Sequence, residues 1–141
     1  MTKPIPFLSP TFPAPAVIAA DYAAIVERGI YSNSGPLEMQ LAREVSDLIG
    51  HDVSVALVTS GTTALQLAIA STFRPGRRFA LVPSFTFPAG PLALRWCGFE
   101  PIFLDIEFSS WQPGISSVQQ YIQRHGDEIG GILLTNTFGV A

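Results

Sequence analysis

LVTSGTTALQLAIA, Leu57 to Ala70, is where an apolar run gives way to a helical pattern. The run entering it, Val53 to Val58 (VSVALV), has the length and β-branched content of a buried strand. It stops at Thr59-Ser60-Gly61-Thr62-Thr63, and a helical spacing follows. Leu65, Ile69 and Phe73 recur every fourth position, and Leu67 and Ala68 fill the adjoining stripe. A strand feeding a helix through such a turn leaves the first helical N–H groups without intrahelical partners. Gly61 carries no Cβ to hold a ligand off the backbone, and hydroxyl side chains crowd the same turn. An oxyanion there would gain from those N–H groups and from the helix dipole, the latter contributing roughly 0.3–2 kcal/mol. Ser and Thr are equally the preferred N-caps, so Ser60 or Thr62 could simply start the helix. The turn is neither a P-loop nor G-x-G-x-x-G. Spacing alone leaves both readings open.

The bulk of the chain narrows the classes. Its 141 residues suffice for one domain with a real core, and 48% apolar against 13% charged residues is a globular composition. A net charge of −3 offers no footing for nucleic acid or an anionic membrane. No run reaches the ~18–20 apolar residues of a membrane span, and the N-terminus shows no apolar signal-peptide core. The lone cysteine, Cys97, excludes an internal disulfide and fits a reducing cytoplasm; beside Trp96 in an apolar helix it reads as a packing residue. No residue pattern suggests a metal site. Lysine occurs once, at Lys3; the other seven basic residues are arginines.

Elsewhere the chain alternates. Residues 1–15 hold five of the twelve prolines and read as an extended arm with Phe7, Leu8 and Phe12 as anchors. Helices are expected over Ala16–Arg28, ended by Gly29, and over Leu37–Ile49 with Leu37, Leu41, Val45 and Leu48 inward. Further strands are expected at Phe79–Val82, Pro101–Asp105 and Gly130–Asn136. Helices should lie between them, one running to about Cys97 and one over Ile115–Arg124. Apolar strands alternating with helices predict an α/β fold, a three-layer α/β/α sandwich around a mostly parallel sheet. In such sheets the ligand crevice lies beyond the strands' C-terminal ends. Thr59–Thr63, Ser84–Phe87, Asp105 and Thr135–Phe138 share that rim. From pattern alone Phe87 is a core aromatic, and His51 and His125 are surface residues away from the rim.

The segments from Tyr31 onward resemble the DegT/DnrJ/EryC1/StrS family of sugar aminotransferases, pyridoxal-phosphate (PLP) enzymes. The matching pieces are Ser34–Glu38 (SGPLE), Thr59–Leu65 (TSGTTAL), Val82–Phe87 (VPSFTF), Gly98–Asp105 (GFEPIFLD) and Thr135–Gly139. The Ser-Gly-Thr turn with Pro-Ser-Phe-Thr-Phe following it is the most specific combination. The resemblance implies the large domain of the aspartate-aminotransferase fold (PLP fold type I), with residues 1–30 an arm and short helix and 31–141 the start of that domain. It implies that Gly61 and Thr62, with Thr63 in the same turn, hold the cofactor phosphate, and that Phe87 lies on the pyridine ring, a stack contributing on the order of 0.5–1.5 kcal/mol beyond burial. Asp105 would be structural. The implied reaction moves an amino group from an amino acid, glutamate by expectation, to a keto-sugar that is often nucleotide-linked, in a cytoplasmic homodimer serving sugar or polysaccharide biosynthesis.

The chain departs from the family in three places. Pro88 and Pro91 follow the aromatic, which places the start of the next helix at about Phe87 or Pro88. Thr135-Asn136-Thr137 replaces a more usual His-containing strand end. The catalytic lysine expected of such an enzyme has no counterpart, since Lys3 lies in the arm. The expectation is therefore an N-terminal part of a longer enzyme, inactive alone and lacking catalytic residues. Two alternatives stand beside it: a lysine-free, non-catalytic binding or regulatory member, and a PLP aldolase, lyase or dehydratase of the same fold.

Overall fold

The computed structural model describes residues 4–50 and 53–139; Lys3 and His51 lie outside the described residues. The chain divides into two compact units, residues 1–57 and 58–141.

In the first unit the proline-rich arm leads to helix α1 (Pro15–Arg28) and helix α2 (Pro36–Ile49). Proline opens each helix, where its missing N–H costs nothing. Gly29 stops α1 in the left-handed conformation at φ 67°, its N–H donating to the carbonyls of Ile25 and Val26. At the start of α2 the Glu38 carboxylate reaches back to accept the Ser34 N–H at 2.5 Å. Neither helix buries a residue. The inward stripe expected of α2 is therefore only partly realised: Leu37 and Val45 are half-buried, whereas Leu41 and Leu48 are exposed. A tail and two helices offer no sheet for that stripe to close against.

The second unit is the α/β sandwich. Helix α3 (Gly61–Thr72) leads to strand β1 (Phe79–Pro83), then helix α4 (Ala89–Trp96), strand β2 (Glu100–Leu104), helix α5 (Ile115–His125) and strand β3 (Ile129–Ile132). The strands form an all-parallel sheet in the order β2-β1-β3. Successive residues of the central strand point to opposite faces, and both faces are covered. Ala80 and Val82 pack with Ile69, Ala93, Leu94 and Phe99 under α3 and α4. Leu81 packs on the other face with Leu104 and Ile129, against Val118 and Tyr121 of α5. Cys97 is a packing residue, half-buried with its Sγ 3.4 Å from the Gln66 carbonyl. His125, expected at the surface, is half-buried at the foot of the sheet, its ring edge-on to Phe79 at 5.5 Å.

Two expected strands are corrected. Residues 53–58 are not a strand; Val55 and Leu57 are half-buried and Val53 and Val58 exposed. β-branched content suits a run to a sheet, but a strand exists only with a neighbour to pair with, and no described segment pairs with this one. The last strand ends at Ile132 rather than Asn136, although the Leu133 N–H still donates to Leu81 at 2.9 Å. Beyond it the Thr135 carbonyl accepts the Gln112 side-chain amide at 2.8 Å rather than a neighbouring strand's N–H. The helix after the aromatic starts at Ala89 with Pro88 as its cap, one or two residues past the expected start, and Pro91 sits harmlessly in its first turn. No helix among the described residues is long and apolar enough to cross a membrane.

One close approach fixes β3 in the sheet. Phe79 pairs with Ile129 and Ala80 with Gly131, so Gly130 is the extra residue of a β-bulge. A Cβ on Gly131 would lie 2.7 Å from the Phe73 ring, which meets Phe99 edge-on at 5.6 Å. Gly131→Ala is therefore expected to destabilise the fold by roughly 1–3 kcal/mol through overpacking. Thermal unfolding should register it as a lowered Tm, and an unchanged Tm would show that the ring is free to move.

Candidate functional site

Because α3 packs back along the sheet, its two ends fall at opposite ends of the strands. Near its C-terminus, the Arg74 N–H donates to the Gly130 carbonyl at the start of β3 (3.0 Å). Near its N-terminus, Leu65 shares a cavity wall with Phe87 and Thr135, which follow the C-terminal ends of β1 and β3. The opening turn of α3 thus belongs to the rim.

That turn is built by Ser60. Its backbone is extended (φ −159°, ψ 158°), its Oγ accepts the Thr63 N–H at 3.2 Å, and its hydroxyl lies 3.0 Å from that of Thr63. The cap reading is therefore realised, with Ser60 rather than Thr62 as the cap. Capping satisfies only one of the helix's free donors. Among the described residues nothing accepts the N–H of Gly61 or Thr62, and a Cβ on Gly61 would meet nothing within 4 Å. Gly61 and Thr62 are exposed, and Thr63 is half-buried with its N–H and hydroxyl engaged by Ser60. Two outward N–H groups at a helix N-terminus, an unobstructed glycine and the Thr62 hydroxyl suit an anionic oxygen.

Phe87 is not a core aromatic. It is 77% exposed, and its ring joins none of the aromatic pairs among the described residues. Two cavities, about 400 and 310 Å³, share Thr86, Phe87, Thr135 and Asn136 in their walls. The smaller runs to Leu65, one helical turn beyond Gly61 and on the same face. The larger is closed by Phe85, Thr137 and Phe138 and has no ionisable side chain in its lining. A depression of about 550 Å³ on the outer face of α5 is an open polar surface of Ser and Gln with no aromatic group. Asp105 stands just past β2, where its Oδ1 accepts the Ile106 N–H at 3.0 Å; it lines neither rim cavity and serves the local turn.

Two further residues, Trp111 and Gln112, escaped sequence reasoning. The loop after β2 folds back through an Ile106–Pro113 bridge and carries Trp111 in the left-handed region at φ 58°. Trp111 meets Phe85 edge-on at 5.5 Å and Phe138 at 5.4 Å, joining the loops after all three strands; Phe138 is also left-handed, at φ 54°. Bulky residues rarely hold this conformation, and it is tolerated where surrounding packing fixes it. Gln112 adds a hydrogen bond from its Nε2 to the Thr135 carbonyl at 2.8 Å. Nothing in the periodicity marks Trp111 or Gln112; Phe138 is signalled only by its place after a strand.

An open parallel sheet covered by helices on both faces is the fold of PLP-dependent aminotransferases of fold type I. Residues 16–141 match the DegT/DnrJ/EryC1/StrS aminotransferase family, a family of PLP-dependent enzymes, and the chain belongs to it. Protein Rv3402c of Mycobacterium tuberculosis is 43% identical over 138 residues, 96% of this chain and 34% of that protein. The dTDP-4-amino-4,6-dideoxy-D-glucose transaminase of Escherichia coli is 25% identical over 120 residues, 85% of this chain and 32% of that enzyme. Among solved structures, a Bacillus cereus protein assigned as a PLP-dependent aminotransferase superposes with a TM-score of 0.83 at 30% identity. The superposition covers 92% of this chain and 36% of that one. The chain thus spans about a third of the length of the relatives it matches.

The Ser60 cap should be measurable by itself. Ser60→Ala is expected to lower stability by roughly 0.5–2 kcal/mol, read as a lower urea midpoint; an unshifted midpoint would remove Ser60 as the cap.

Proposed function

We propose that the chain is the cofactor-phosphate and ring-binding part of a PLP-dependent aminotransferase that moves an amino group from an amino acid to a keto-sugar. The observation that carries this reading is the pair of unpartnered N–H groups at Gly61 and Thr62, on the helix whose next turn shares a cavity with the exposed Phe87. In this assignment Gly61 and Thr62 bind the phosphate through those N–H groups, aided by the Thr62 hydroxyl. Thr63, tied to Ser60, holds the turn in shape, and Phe87 offers its face to the pyridine ring. When bound, PLP supplies the electron sink through which an amino group passes between carbon skeletons. The residues described here bind and orient; the sequence's one lysine, Lys3, is in the arm, and no proton transfer is assigned to this chain.

The relatives support this acceptor class, and the rim suits it. The Escherichia coli relative makes an amino sugar by name. The larger cavity, aromatic with hydroxyl and amide groups and no ionisable side chain, is the chemistry that receives a neutral, hydroxyl-bearing ring. Glutamate as donor, a nucleotide-linked sugar, a homodimer with the Phe7–Phe12 arm on its partner, and a cytoplasmic location complete the proposal.

Cofactor retention tests it. In the full-length protein, Phe87→Ala and Thr62→Val should each weaken PLP binding several-fold, read by titration of apoprotein at the cofactor's visible absorbance. The stacking contribution of about 0.5–1.5 kcal/mol corresponds to roughly two- to tenfold for Phe87. Unchanged binding in both variants would contradict the assignment.

A further inference from the structure

An exposed ring cannot be oriented by packing. Phe87 is 77% exposed, so its direction is set by its backbone and rotamer, and whatever ties down that backbone sets the ring. We infer that Thr135 is the positioning residue that holds the Phe87 loop, acting through Thr86. The inference rests on the reading that Phe87 lies against the cofactor ring.

The ties are specific. The hydroxyls of Thr86 and Thr135 are 2.8 Å apart in a part-buried pair, bringing together residues 49 positions apart in the chain. The Thr135 carbonyl accepts the Gln112 amide at 2.8 Å, so the same residue is held from the loop after β2. One residue to the other side of Thr86, the Phe85 carbonyl accepts the Thr137 hydroxyl at 3.4 Å. Past the ring, the Phe87 carbonyl accepts the Gly90 N–H at 3.3 Å. The backbone around Phe87 is thus bonded on both sides, while the ring itself stands free. Preorganisation of this kind strengthens binding by removing the ordering cost from the binding step. Valine in place of Thr135 keeps the shape, removes the hydroxyl, and leaves the half-buried Thr86 hydroxyl without its partner.

The experiment is a PLP titration of the full-length apoprotein, read together with visible circular dichroism of bound PLP, which reports the ring's asymmetric surroundings. Thr135→Val should weaken PLP binding about three- to tenfold, the loss expected of one hydrogen bond, and change the dichroic band. Thr135→Ser should restore both. Thr86→Val should reproduce the Thr135→Val effect, and the double variant should be no weaker than either single, since both remove one interaction. Single losses that add in the double variant, or binding and dichroism unmoved in both single variants, overturn the inference. Wild-type protein that binds no PLP overturns the functional proposal and this inference together. Wild-type protein that binds PLP beside silent variants overturns this inference alone.

Discussion

Burial of β1 on both faces is the constraint from which the rest follows. Ala80, Leu81, Val82 and Pro83 are all buried, and alternate side chains can be buried only if helices cover both sides of the sheet. With parallel neighbours on each edge, every crossover must return to the same end, so the three strands finish at one rim. The same packing turns the N-terminus of α3 toward that rim. Site and core are therefore consequences of one arrangement: Ile69 and Leu65 on one helix stripe serve the core and the cavity in turn.

This arrangement explains what could be read from the sequence. β1 and β2 are short apolar runs between turn-formers, and Pro, Ser or Gly stands at or just before the start of each helix, so both kinds of element were legible to within a residue or two. The run at residues 53–58 failed because strand propensity is a statement about fitting a sheet, and pairing is a property of two segments. Phe87 failed from pattern alone because an aromatic in an apolar sequence is ordinarily buried; only the family resemblance pointed to an exposed face. The Thr86–Thr135 pair and the Trp111 ring contacts join segments far apart in sequence, and no local periodicity encodes such contacts.

At the opening turn, capping and the proposed anion binding are compatible because they use different donors. Ser60 takes the third N–H of α3 and leaves the first two facing outward. The cap also fixes the backbone that aims those two groups, so a local stability device and the proposed phosphate site share the same five residues. Across the cavity the division of labour is similar: hydroxyls and amides of Thr86, Thr135 and Gln112 hold the frame, and the ring of Phe87 is left bare. The three strand-end loops that meet through Trp111 bring aromatic surface to the rim beside Phe87.

The central claim is that an anionic cofactor tail docks where Ser60 hands over to α3. A crystal structure of the full-length protein loaded with PLP tests it most directly. The phosphate should lie within hydrogen-bonding distance of the Gly61 and Thr62 N–H groups, with the pyridine ring against Phe87. A phosphate bound elsewhere, with those two N–H groups still facing solvent, would contradict it.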